Sequence, residues 1–466
     1  MKRIFEMKTL NTFLLVVFVF VGCQAQQDRV FKSNGKVDYT LSDNDQILLD
    51  SIQYRSFLYF INELNPEYGL VKDRNASWAP ASIAAIGFAL PSYAVGVERS
   101  WITREKASQI TLNTLRFFIN SVQSADTNAT GYKGFYYHFL RMNSGTREWN
   151  CELSSVDTGL LMMGVIFARN YFNLDNQTEK EIRELAAKLL NRLEWDFFEM
   201  PAEGEYAHTI SMGWKPEEGL HFMGWSGYNE ALFLYILAAG SGMTNVEKGY
   251  QSWLASYDWM TPYPELSHAV FPPLFGHQFS HTFIDFRGLA DSYMKEKGID
   301  YFENSRRATL VQRLYAIENP FKWIGYDSLT WGISASDGPG ESYNFDDRKF
   351  LGYAGRGTSG PDLNYFDDGT ITPYAAISSI VFAPEVVLPT IKNFNEKYGK
   401  GLWNKYGYLD SFNPTLNWFN KEYIGIDQGP LLLMIENFRS GLVWNYVMKD
   451  KIIQDGLKRL GFEYIN

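Results

Sequence analysis

The stretch Cys151-Glu152-Leu153-Ser154-Ser155-Val156-Asp157-Thr158-Gly159-Leu160-Leu161-Met162-Met163-Gly164-Val165-Ile166-Phe167-Ala168 decides the fold class. Leu160, Leu161, Gly164, Val165 and Ala168 recur at steps of three and four, the spacing that turns one face of an α-helix toward a core. Ser154, three residues ahead of Asp157, supplies an S-x-x-D start signal. The same grammar repeats outward along the chain. Helices are expected to begin near Asp43, Ala81, Thr103, Ser154, Thr178, Gly227, Asn245, Ser280, Tyr301, Thr372, Pro384, Gly429 and Met448. Alternating polarity is confined to residues 134–140, 204–210 and 331–335, read as short hairpins hung on a helical frame. Roughly a dozen helices without an intervening linker suit two concentric rings of six around one core, an all-α (α/α)6 barrel. The residues left over after average-length helices must lie in long loops, where binding side chains concentrate.

The chain has 466 residues, 45% of them apolar and 21% charged, enough apolar surface for one large core. Its 43 basic and 53 acidic side chains leave a formal charge of −10, with no basic run to neutralise phosphates, so no nucleic-acid partner is expected. Lys2, Arg3 and Lys8 precede a short apolar run from Phe13 to Val21 and then Gly22-Cys23. That run is shorter than the roughly 20 residues a membrane span needs and reads as an export signal. Small Gly22 before Cys23 fits a bacterial lipoprotein signal over residues 1–22, although Phe20 departs from that pattern and leaves cleavage after Ala25 as the alternative. Residues 23–42 then read as a polar tether and 43–466 as a single domain. The expected location is the periplasm or outer membrane of a bacterium, with membrane contact only through a lipid on Cys23 and a monomeric chain. Cys23 and Cys151 are the two cysteines, so no disulfide framework is expected.

Phosphate loops, dinucleotide turns, HExxH helices and GxSxG elbows do not occur, and no cofactor or metal is expected. His277, His281 and Asp285 have ligand-like spacing, but Pro273 and Gly276 place His277 ahead of a helix, and a structural role is the reading preferred. Three acids stand at expected helix starts: Asp157, Glu230 in Gly224-Trp-Ser-Gly-Tyr-Asn-Glu-Ala, and Asp427 in Ile424-Gly-Ile-Asp-Gln-Gly-Pro. Singly, each fits a capping residue. In a double ring, however, the inner helices gather their N-terminal ends at one mouth, where these acids would converge among Trp149, Trp225, Tyr228 and Tyr423. Carboxylates in a ring-lined hollow suit acid and base cleavage of a polyhydroxylated substrate. A second set comprises Trp331, Asp337, Asp362, Asp367, Asp368 and Tyr374. Asp337-Gly338-Pro339 is also an ordinary turn, and Trp331 and Tyr374 are either sugar-facing rings or core.

The stretches 154–158, 227–231, 334–339 and 425–430 resemble the bacterial glucoamylase-like proteins of glycoside hydrolase family 144, over nearly the whole chain after the signal. The resemblance implies an (α/α)6 barrel acting on β-1,2-glucan, mostly as inverting endo-β-1,2-glucanases, with some members releasing sophorose from chain ends. It implies Glu230 as acid and Asp427 as base, with Asp157 a further pocket carboxylate. Trp225, Tyr228, Trp331 and Tyr374, with His277, Arg287, Asp337 and Asp368, are the candidate substrate-binding residues. Two other readings stay open: a non-catalytic surface glycan-binding lipoprotein, and an α/α-barrel polysaccharide lyase using Arg287, His277 or a tyrosine.

Overall fold

Six helices that are buried almost all round form the inner ring: Ile83–Glu98, Ser155–Tyr171, Leu232–Gly240, Phe279–Phe283, Pro373–Ser378 and Gly425–Ser440. The computed structural model describes residues 30–362 and 364–465. The export segment and Cys23 lie outside the described residues. In the first inner helix every residue from Ile83 to Gly96 is buried, which a helix can afford only when neighbours cover all of its faces. The outer ring is Asp43–Asn62, Arg104–Asn120, Gln177–Asn191, Val246–Ala255, Tyr301–Glu318 and Pro384–Asn393. These are amphipathic: in Gln177–Asn191 the stripe Ile182, Leu185, Ala186, Leu189 and Leu190 is buried while the charged residues between them face out. An additional helix, Lys451–Arg459, packs on Leu232–Gly240.

Two inner helices, Ile83–Glu98 and Ser155–Tyr171, start where short strands end. Ala81–Ser82 pairs with Phe139–Leu140, and Leu153–Ser154 belongs to a five-stranded antiparallel sheet with Gly131–Tyr132, Phe135–Tyr137, Gly213–Lys215 and Gly219–Leu220. The last strand residue is then the cap: the Ser82 hydroxyl accepts from the Ala85 amide and that of Ser154 from the Asp157 amide. Strand pairing therefore fixes where these two helices begin, and in the second where the first-turn carboxylate of Asp157 sits.

The backbones of Ile83–Glu98 and Ser155–Tyr171 touch. A Cβ on Gly164 would stand 2.2 Å from the Gly87 carbonyl oxygen, and one on Gly87 would stand 2.4 Å from that of Leu160. Neither contact is with a side chain that could swing away, so both helices would have to separate. Gly164→Val should lower stability by about 3 kcal/mol or more, read as a lower denaturant midpoint than wild type, whereas an unchanged midpoint would refute the close crossing.

The strand expected at 134–140 is present as two short pieces, Phe135–Tyr137, which forms a hairpin with Gly131–Tyr132, and Phe139–Leu140, which pairs with Ala81–Ser82. Residues 331–335 are instead a buried loop, its backbone satisfied by the Gln312 side chain at Ile333 and by the Thr372 amide at Gly332. Residues 204–210 form turns joined by a single bridge, Glu199 to Ile210. Two helix starts also move. Gly227 has φ +69° and the next inner helix begins only at Leu232, whereas the last one begins at Gly425 and carries Pro430 inside it rather than at its start.

Candidate active site

Because the inner helices share a direction, their N-terminal ends enclose one cavity of about 440 Å³, lined by Asp157, Leu160, Trp225, Glu230, Phe279 and Ile426, with His138 and Glu152 at its wall. Trp225 is fixed by its indole N–H, which donates to Ser155 Oγ at 3.0 Å.

Glu230 precedes its helix. Asn229 Oδ1 accepts from the Ala231 amide at 2.9 Å while its amide nitrogen donates to the carbonyls of Ser226 and Gly227, which coils the chain into a tight turn. Ser280 Oγ donates to the Glu230 carbonyl at 2.8 Å, locking this turn to the neighbouring inner helix. The carboxyl itself is little constrained: Oε2 is buried and has no hydrogen-bond partner. Burial, reinforced by the nearby Asp157 charge, pushes its pKa up to about 7 against a backbone hydrogen bond that lowers it. A buried carboxyl that stays protonated near neutrality can donate a proton.

Asp157 occupies the first turn of its helix, with Oδ2 accepting from Ser154 Oγ at 2.5 Å. Beside it, His138 bridges two acids: Nδ1 lies 2.9 Å from Glu152 and Nε2 lies 3.6 Å from Asp157. Burial disfavours the charged ring, but Asp157 and Glu152 outweigh it and raise its pKa to about 9. Burial raises the Asp157 pKa in spite of His138 and Ser154. Among the described residues, His138, Glu152 and Asp157 form a group of three whose ligand atoms lie within 4.8 Å of one another. Both ring nitrogens already face carboxylates, so the imidazolium itself supplies the cation that this trio needs.

Asp427 is not isolated. It lies in the first turn of Gly425–Ser440, next to the cavity-lining Ile426, and is hydrogen-bonded to Asp410. Burial raises both pKa values; the Asp410 charge raises that of Asp427 further, whereas the Asp337 charge raises that of Asp410 and the Asp427 hydrogen bond lowers it, so the pair holds one proton between two carboxyls. A helix N-terminus would favour the anion by about 0.3–1 kcal/mol, but burial and the second acid outweigh it. Asp410 Oδ2 accepts from the Asp337 amide at 2.9 Å and from Asn420 at 3.2 Å. Asp337 in turn pairs with Arg74 at 3.0 Å, and Arg74 also reaches Glu422 and Asp73.

Asp157, Glu230 and Trp225 line the cavity, whereas Asp427 and Asp337 do not, Asp427 following the lining residue Ile426 and Asp337 reaching Asp427 through Asp410; the Tyr374 hydroxyl, close enough to Asp427 to feel its charge, donates to Ser334 Oγ at 2.9 Å. Tyr228 and His277 are buried, their ring centres 4.8 Å apart, and neither lines the cavity.

Three further expectations are corrected. Arg287 bonds Asp285 and the Gly35 carbonyl and lies over the Trp444 ring, beyond the far end of the Gly425–Ser440 helix, about 20 Å from Asp427 at 1.5 Å per residue. Trp331 is fully buried, its indole donating to Thr390 Oγ1 at 2.8 Å, and acts as packing between the rings. Asp368 forms a fully buried ion pair with Arg356 at 2.8 Å that ties a loop together. Asp367 is likewise committed, accepting from Tyr315, Trp323 and Tyr326.

A family described as "Putative glucoamylase" matches residues 222–451. A solved structure from Bacteroides uniformis given the same description is 33% identical, covers 92% of this chain and 99% of its own, and superposes with a TM-score of 0.78. The chain belongs to this glucoamylase-like family. Other members have names that specify chemistry. An endo-beta-1,2-glucanase from Chitinophaga pinensis, solved with sophorotriose and glucose, is 27% identical over 91% of this chain and 99% of its own, with a TM-score of 0.77. An exo beta-1,2-glucooligosaccharide sophorohydrolase (non-reducing end) of Parabacteroides distasonis is 26% identical over 456 residues, 89% of this chain. The chain spans 58% of that relative's length.

Proposed function

We propose that this glucoamylase-like chain is a glycoside hydrolase that cleaves β-1,2-glucan with inversion at the anomeric carbon. The observation that carries the reading is the Glu230 carboxyl, buried at the cavity wall with its pKa raised to about 7, with an ionisable acid pair at the start of the inner helix Gly425–Ser440. The names of the Chitinophaga and Parabacteroides relatives support the linkage.

In this mechanism Glu230 gives its proton to the departing glycosidic oxygen, directly or through a substrate hydroxyl. Water attacks the anomeric carbon from the opposite face as the C–O bond breaks, and its proton passes to the singly charged Asp410–Asp427 pair. Asp157, held by Ser154 and His138, keeps negative charge beside Glu230 and so helps retain the Glu230 proton until transfer.

The test is incubation of the full chain with β-1,2-glucan, other β-glucans and a uronate polymer, following reducing ends, anomeric proton signals and absorbance of unsaturated products. New reducing ends from β-1,2-glucan, appearing first as the α-anomer, are expected. The β-anomer appearing first would contradict inversion. Unsaturated products from the uronate polymer would mark a lyase, and sugar binding without cleavage would mark a glycan-binding protein.

A further inference from the structure

Two tryptophans stand in solvent beside the cavity, where a soluble surface gains nothing from them. Trp78 is 61% exposed and Trp149 is 50% exposed, with ring centres 5.9 Å apart and planes tilted by 44°. They are continuous with the site on two sides. Phe139 lies 5.0 Å from Trp149 and stacks at 3.9 Å on His138, which lines the cavity, while the Arg74 guanidinium lies 5.7 Å from the Trp78 ring and pairs with Asp337.

Both loops are held in place. The Trp78 loop is closed at its base by the Asp73 amide donating to the Pro80 carbonyl at 2.8 Å, and is sewn to the last inner helix by the Gly425 amide donating to the Asp73 carbonyl. Trp149 and Asn150 have φ of +56° and +49°, a left-handed backbone that large side chains avoid. Buried Arg147 enforces it, donating to the carbonyls of Asn150 at 2.9 Å and Cys151 at 2.6 Å while pairing with Glu217. A strained, clamped loop that keeps an indole in water implies a ligand for its face.

We propose that Trp78 and Trp149 form a glucan-binding platform outside the cavity, stacking on pyranose faces of the chain that extends from the cleaved residue. The proposal rests on the glucan hydrolase reading. Pyranose C–H faces are apolar and fit indole rings, and two tilted planes present themselves to a bent chain rather than a flat one. Because the platform touches only sugars remote from the bond broken, it acts on long substrates and leaves the chemistry to the cavity.

The test compares the full chain with Trp78→Ala/Trp149→Ala on polymeric β-1,2-glucan and on a short β-1,2-linked trisaccharide. The ratio of kcat/KM for polymer to that for trisaccharide should fall about tenfold, through KM rather than kcat, and Trp78→Phe/Trp149→Phe should restore most of it. Equal losses on both substrates, or an unchanged ratio, would overturn the platform. Polymer binding to both chains, read by calorimetry, separates the two readings. No cleavage by wild type with weakened polymer binding in the double Ala variant sinks the hydrolase and keeps the platform. Polymer bound equally by both chains, or by neither, sinks the platform. Lipid-vesicle binding lost in the Ala variant with unchanged glucan kinetics would assign the rings to a membrane surface and overturn it as well.

Discussion

Glu230→Gln should lower kcat on β-1,2-glucan by about 10³- to 10⁴-fold while oligosaccharide affinity stays near the wild-type value. The size of the loss follows from what the substitution removes. Glutamine has the shape of the neutral acid and cannot release a proton, so the sugar is still accommodated and the leaving oxygen is left unprotonated. Collateral damage should be small, because Oε2 makes no hydrogen bond in the folded chain and the backbone of the turn is held by Asn229 and Ser280 rather than by the carboxyl. The variant should therefore unfold at the wild-type denaturant midpoint. Turnover that survives the substitution would remove Glu230 from the acid role.

Asp427→Asn should cut kcat/KM by about 10²-fold or more and also move the acidic limb of its pH profile. The signs follow from the two charge requirements. The acid must be protonated, so activity falls as pH rises through the Glu230 pKa of about 7. The base must be ionised, so activity falls as pH drops through the pKa of the Asp410–Asp427 pair, which burial and the nearby Asp337 charge raise above the usual carboxylate range. The wild-type bell should therefore be narrow, with both limbs displaced upward from those of ordinary carboxylates. Asparagine removes the carboxyl whose hydrogen bond lowers the Asp410 pKa, so Asp410 ionises less readily and the acidic limb of the residual activity should move to higher pH. A profile whose acidic limb stays in place would show that the pair does not supply the base.

The double ring was legible because helical periodicity is a local property. The inner helix at Ser155–Tyr171 is announced by its own cap and by apolar steps of three and four, and Pro373 and Pro384 mark two more starts. Glu230 is harder to place: Gly227 looks like a helix start but takes a left-handed φ, and Asn229 closes a turn that delays the helix to Leu232. The acids Asp157, Glu230 and Asp427 could be picked out because each adjoins an inner-helix start.

Their partners carry no such mark. Asp410 lies beside a short hairpin with nothing in its neighbourhood to connect it to Asp427, and His138 sits in a run of tyrosines that reads as core. Arg74, Asp73 and Glu422 reach the site across sequence separations that no spacing rule spans. Arg287 misleads for the converse reason. It follows an inner helix only five residues long, Phe279–Phe283, so the chain has already crossed to the other end of the barrel by the time it is reached. Asp368 and Trp331 carry the same sequence features as sugar-binding groups, but Arg356 and Thr390 occupy them in the fold. Glu152 was the one missed site residue with a usable signal, since it immediately precedes the strand and cap that position Asp157.

The most direct test of the account is a carboxyl ¹³C NMR titration of glutamate-labelled chain, wild type against Glu230→Gln. The account predicts one carboxyl resonance that titrates near 7 in the wild type and is missing from the variant. A Glu230 resonance that titrates in the ordinary range, near 4.3, would mean that the acid is already ionised at neutral pH and would contradict its role as proton donor.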